Sequence, residues 1–168
     1  ITRPKGSSAK LGGVFRVSHA RITKAAVLQY TARGTQDETL PIVEALVTGA
    51  AKAGAEIICL PECANFLAAN KPSLKKHAED EADSRSLALL TNLARKHHII
   101  VSAGSLMMAA DPNNPEDNRA ANRSFLITQD GEIAAHYDKI HMFDADVGDG
   151  KSYRESDHFR PGTNMVDV

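Results

Sequence analysis

The chain has 168 residues, 42% hydrophobic and 24% charged, with a net charge of −1. That length suits one domain with a sizeable core and is short for two. The near-neutral balance argues against nucleic acid or an acidic membrane surface as partner, and no apolar run approaches the ~18 residues of a membrane-spanning helix.

Two cysteines, Cys59 and Cys63, make no disulfide framework and fit a reducing compartment, so a cytoplasmic location is expected. The charge is unevenly spread: no acidic residue precedes Asp37, while Arg3, Lys5, Lys10, Arg16, Arg21, Lys24 and Arg33 are basic. Residues 1–22 read as a basic, flexible leader. As a transit peptide it would direct the protein to mitochondria instead; as a plain arm it carries no address.

Lys24–Tyr30 is an apolar run of strand length. From Asp37 to Ala53, Leu40, Val43, Leu46 and Val47 recur at helical spacing, with Asp37 and Glu38 suiting the helix start and Gly54 the stop. Pro41 is tolerable only in the first turn of that helix. Glu56–Leu60 is apolar at every position after the first, as in a strand buried on both faces, which would put Cys59 in the core. Asn70–Glu81 is a polar, helix-leaning excursion. Asp83 or Ser84 can cap a helix to His97 with Leu87, Leu90, Leu93 and Ala94 buried. Ile99–Ser105 is the next strand and Asp111–Asn118 a loop. Arg123–Thr128 and Glu132–Lys139 flank Gln129-Asp130-Gly131, where Asp-Gly signals a hairpin. Strand–helix–strand–helix–strand followed by a hairpin describes an α/β layered domain, parallel first and antiparallel later.

Candidate chemistry sits in three places. Glu62 follows a strand end, where open α/β sheets put ligand and catalytic groups. Lost solvation there would raise its pKa; a solvated loop glutamate, or one paired to lysine, is the plainer alternative. Lys139 shares a strand face with Tyr137 and His141. It is either a snorkelling surface lysine or a fixed pocket charge that needs a carboxylate partner, Glu155 or Glu62. Asp144-Ala145-Asp146 with Glu155 hints at a calcium loop and fails as one. Gly148 stands where a ligand should, and Asp149 where the turn needs glycine. His97 and His98 belong to a helix end, and His136 and His141 to opposite strand faces. Nothing positively charged in sequence activates Cys63, and no glycine loop has the strand–turn–helix setting of a phosphate cradle.

These segments together resemble the nitrilase, or carbon–nitrogen hydrolase, superfamily, in its small-acid amidase branch that includes omega-amidase and deaminated-glutathione amidase. The match runs from Lys24–Tyr30 through Gly54–Cys63, Asn122–Ile127 and Asp130–Ile133 to Tyr137–Asp144, Glu155-Ser156 and Pro161-Gly162. The order Pro-Glu, Tyr-x-Lys-Ile-His-x-Phe-Asp, Glu-Ser-x4-Pro-Gly is its specific part. The resemblance implies an αββα sandwich of which residues 23–168 are the N-terminal portion of one domain, so the fold is expected to be incomplete in this chain. It also implies Glu62 as general base, Lys139 as oxyanion stabiliser, Glu155 as the second glutamate holding lysine and substrate, and a cysteine nucleophile forming a thioester. No metal or other cofactor is implied. The expected partners are a small-molecule amide substrate and a second copy of the chain, in a homodimer or larger assembly. The family's cysteine lies in a later segment reading approximately Cys-Tyr-Asp-x-Arg-Phe-Pro, which Cys59 and Cys63 do not match. Two expectations follow: an amidase whose nucleophile lies beyond residue 168, inactive as these residues alone and prone to aggregate, or a non-catalytic relative kept as a scaffold.

Overall fold

A computed structural model describes residues 22–168 apart from 112, 115 and 149, so the leader expected over residues 1–22 lies almost wholly outside the described part. The elements follow as β1 (Ala25–Val27), α1 (Gln36–Lys52), β2 (Ile57–Cys59), α2 (Lys71–His77), α3 (Arg85–His97), β3 (Ile100–Ser102), β4 (Leu106–Met108), β5 (Ala121–Ile127), β6 (Ile133–Asp138), β7 (Asp144–Val147) and β8 (Lys151–Arg154), with short 3-10 turns at Glu81–Asp83 and Glu155–Asp157.

β1, β2 and β3 pair in parallel, and β5 then runs antiparallel to β3, β4 and β6. The expected parallel-then-antiparallel order holds. Ala26, Ile58, Val101 and Ile127 are cross-strand partners on one face. There they meet Val43 and Val47 of α1 and Leu87, Leu90, Leu93 and Ala94 of α3 in the main core. The α3 stripe is the one its spacing predicts, and Ser84 caps the helix by accepting from the Leu87 N–H at 3.1 Å. α1 is capped by Thr35, whose side chain accepts from the Glu38 N–H and donates to the Glu38 carboxylate, a reciprocal arrangement akin to a capping box.

Three expectations change. Pro41 sits in the second turn of α1, not the first. It lies on the exposed side, where water can satisfy the carbonyl of Asp37 that lacks an amide partner. β2 is buried on one face only: Ile58 is fully buried, whereas Ile57 and Cys59 are half-buried on the side away from the helices, so Cys59 is not a core residue. The strand expected over Ile99–Ser105 breaks at Gly104 (φ +63°), beyond which Leu106–Met108 forms β4. A Cβ on Gly104 would lie 2.2 Å from the carbonyl oxygens of Leu60 and Pro61, so only glycine lets this bend press against the end of β2.

β4 borders a second, smaller core of Phe66, Leu74, Met107, Ala120 and Phe159, against which Cys63 and Met142 pack. The β7–β8 hairpin occupies the stretch whose carboxylates hint at calcium. Its turn lies between Val147 and Lys151, and Arg154 Nη2 pairs with Asp146 at 2.8 Å.

Candidate active site

Glu62 lies at a left-handed turn just past β2. Cys63 adopts φ +54°, which a non-glycine residue holds only when its surroundings enforce it. Ser105 supplies much of that enforcement. Its Oγ accepts from the Cys63 N–H at 2.9 Å, its carbonyl accepts from the Ala64 N–H at 2.7 Å, and its own N–H donates to the Pro61 carbonyl. The fully buried Asn65 extends the grip: its Oδ1 accepts from the Met107 N–H at 2.9 Å and its Nδ2 donates to the Met107 carbonyl. Tyr30 Oη closes the turn from β1's side by donating to the Ala64 carbonyl.

Lys139 stands one residue past β6, with its N–H still donating to the Asn122 carbonyl at 2.9 Å. The strand does not run on to His141, so alternation cannot put His141 on the Lys139 face, and the expected sharing is limited to Tyr137. The backbone here is anchored from both sides. Arg123 makes a two-point ion pair with Asp138 at 2.6 and 2.9 Å and reaches Glu81 at 2.6 Å. Gly162 donates its N–H to the Lys139 carbonyl at 2.9 Å. A Cβ on Gly162 would meet the Asp138 carbonyl oxygen at 2.3 Å, which accounts for the glycine of the Pro161-Gly162 turn.

Glu155 opens the 3-10 turn that follows β8. Its Oε2 accepts from the Phe143 N–H at 2.6 Å, and Asp144 caps the same turn through the Ser156 N–H and Oγ.

The three side chains converge. Lys139 Nζ donates to Glu62 Oε1 at 3.0 Å and to Glu155 Oε1 and Oε2 at 3.0 and 2.9 Å, using three ammonium directions on two carboxylates. Of the two partners left open by the sequence, both are engaged. Exposure grades across the group: the Glu155 side chain is 15% exposed, Lys139 29% and Glu62 59%.

The hydrogen bond from Lys139 pulls the Glu62 carboxyl below its ordinary value; partial burial opposes this, and the Asn122 hydrogen bond and the lysine charge add to it. The rise expected from desolvation is therefore reversed, because Glu62 is too exposed for burial to win. For Lys139, burial is the largest single influence and acts downward, but the hydrogen bonds and charges of Glu155 and Glu62 together raise the ammonium above its ordinary value.

Cys63 is close enough to feel all three charges. Burial first, then Glu62 and Glu155, push its thiol up to about 12, with Lys139 only partly offsetting them. At neutral pH it is a thiol and a poor nucleophile. Among the described residues no group of three histidine, cysteine or carboxylate side chains could hold a metal ion. No described helix is long and apolar enough to cross a membrane.

The residue that sequence reasoning missed is Asn122. It is 3% exposed, and its Nδ2 donates to Glu62 Oε1 at 2.8 Å. An asparagine inside an otherwise strand-like run is out of place by β-propensity, and that was the available signal.

Comparison with known proteins gives a consistent picture. A family model described as carbon-nitrogen hydrolase matches residues 24–168. A deaminated glutathione amidase of Yersinia enterocolitica is 35% identical over 115 residues, 67% of this chain and 38% of that protein. An omega-amidase of Saccharomyces cerevisiae is 30% identical over 116 residues, again 67% of this chain and 38% of its own length. The crystal structure of the C. elegans NitFhit protein superposes with a TM-score of 0.73 at 28% identity, covering 86% of this chain and 35% of that one. The chain thus spans well under half the length of these relatives.

Proposed function

The chain belongs to the carbon–nitrogen hydrolase family, and on that premise we propose that the intact protein is an amidase that cleaves a terminal amide of a small carboxylic acid through a cysteine thioester. The observation that carries this reading is the meeting of Lys139 with Glu62 and Glu155, residues 77 and 16 positions away, within 3.0 Å. A scaffold has little use for an ammonium and two carboxylates gathered within hydrogen-bond reach of one another.

In the proposed cycle Glu62 takes the proton of the nucleophilic thiol as its sulfur bonds to the amide carbon. The carbonyl π pair moves to oxygen, and Lys139 stabilises the resulting oxyanion. When the C–N bond breaks, Glu62 returns the proton to nitrogen and ammonia leaves. Glu62 then deprotonates water for attack on the thioester, which releases the acid and the thiol. Glu155 keeps Lys139 aimed throughout.

The lowered carboxyl of Glu62 fits this cycle. An oxyanion competes for the ammonium, and as Lys139 turns toward it Glu62 loses its strongest acidifying contact and becomes a better base. In this reading the nucleophile is a cysteine other than these two: Cys63 packs against the second core, Cys59 lies in β2, and neither stands in a Cys-Tyr-Asp-like segment.

The test is ammonia release from small carboxylic-acid amides by the full-length gene product. Lys139→Ala is expected to lower kcat/KM roughly 100-fold or more with an unchanged circular dichroism spectrum, and Glu62→Gln to suppress thioester formation seen by mass spectrometry. A Lys139→Ala variant as active as the parent removes lysine from the mechanism.

A further inference from the structure

Asn122 is bonded to both working groups of the site. Its carbonyl accepts the Lys139 backbone N–H at 2.9 Å, and its side chain donates to Glu62 Oε1 at 2.8 Å. The orientation of the amide is chemically determined, because a carboxylate only accepts, so the NH2 end must face it. Lys139 Nζ lands on the same oxygen at 3.0 Å, whereas Glu62 Oε2 receives no hydrogen bond among the described residues. The two carboxylate oxygens are thus unequal.

We propose that Asn122 is a positioning residue that, with Lys139, commits Glu62 Oε1 to anchoring and leaves Oε2 as the oxygen that exchanges protons with nucleophile, leaving group and water. This rests on the amidase reading above and deepens it.

The physical need is plain. The Glu62 side chain is 59% exposed, hinged on three rotatable bonds, and its lysine contact must loosen when an oxyanion forms. Asn122, by contrast, is buried in β5 and paired opposite Met107, so its amide stays put. One fixed donor keeps Oε2 within reach through each proton transfer while Lys139 changes partner. A residue that merely fills the strand interior would show no such coupling.

The test uses the full-length protein and two variants: Asn122→Leu, close in size and without a donor, and Asn122→Asp, which replaces the donor by an acceptor. The Glu62 carboxyl is titrated directly by 13C NMR, with pH profiles of kcat/KM beside it. Its pKa is expected to move up by about one pH unit in Asn122→Leu and further in Asn122→Asp. The acid limb of kcat/KM should follow, and kcat should fall tenfold or more with KM little changed. An unmoved Glu62 titration in whichever variant folds overturns the proposal. So does a moved titration with unchanged kcat. The NMR titration needs no turnover, so a protein without amidase activity would sink the amidase reading while the Asn122–Glu62 coupling is still measured.

Discussion

At the scale of single residues, the site is defined by which charge prevails. Lys139 is held up by Glu155 and Glu62 against its own burial, and Glu62 is held down chiefly by the lysine hydrogen bond. The linkage to stability has a definite sign. Glu62, depressed from 4.5, stabilises the fold above pH 4.5, and this is lost as pH falls through its lower folded value. Lys139, raised from 10.5, stabilises it below pH 10.5, and this is lost as pH rises through its higher folded value. Between those limits the pair contributes a flat plateau, on the order of 1 kcal/mol because Glu62 is exposed enough to be screened. Thermal melts of the parent and of Lys139→Met should therefore differ by a constant Tm gap from pH 5.5 to 9 that narrows below pH 4.5. A gap that widens in acid would contradict this. Cys63 gives a second check: with its thiol near 12, iodoacetamide at pH 8 should label it far more slowly than an unstructured thiol. Rapid labelling would restore it as a candidate nucleophile.

At the scale of elements, close backbone approaches aim these side chains. The end of β2 leans on Gly104 and the end of β6 on Gly162. Gly104→Ala must adopt φ +63° and clear two carbonyl oxygens at 2.2 Å, and it should cost about 2 kcal/mol or more in urea denaturation. Gly49 is the control: it lies in α1 with open space around its Cβ, so Gly49→Ala should stabilise by about 0.5–1 kcal/mol. If both substitutions act alike, the contact argument fails. What the sequence disclosed divides along the same line. The α3 stripe, the Asp130-Gly131 hairpin and the order of strands follow from periodicity and turn chemistry, which are local. That Lys139 meets both glutamates, that Ser105 grips the Cys63 turn, and that Asn122 holds Glu62 depend on how the chain is arranged across 16 to 77 positions, which no local pattern encodes. β7 and β8 were hidden for another reason: aspartates, glycines and a lysine mask their alternation, and the pairing shows only in three dimensions.

At the scale of the molecule, α1 and α3 cover one face of the six-stranded sheet, and much of the other face is left open. Ile57, Cys59, Ile100 and Leu126 are half-buried on that side, and Val27 of the edge strand β1 is 82% exposed. Val166 and Val168 reach over Ser102, Leu126 and Ala135 without sealing the surface, leaving a cavity of about 230 Å³. An apolar face joined to an open strand edge is a surface that associates in water. The 168 residues produced alone should therefore sediment as concentration-dependent oligomers. Val27→Lys, which sets a charge on that face at the edge strand, should shift them toward monomer without lowering Tm by more than a degree or two, since Val27 buries little. The charge works through desolvation: pairing that edge or covering that face would strip water from the ammonium with no partner to replace it. A monomeric 168-residue chain that melts sharply and reversibly would mean that the open face is adequately solvated and that this portion of the fold is self-sufficient. Monomers from the parent and Val27→Lys alike would mean the same, whereas persistent oligomers in the variant would move the association to another surface.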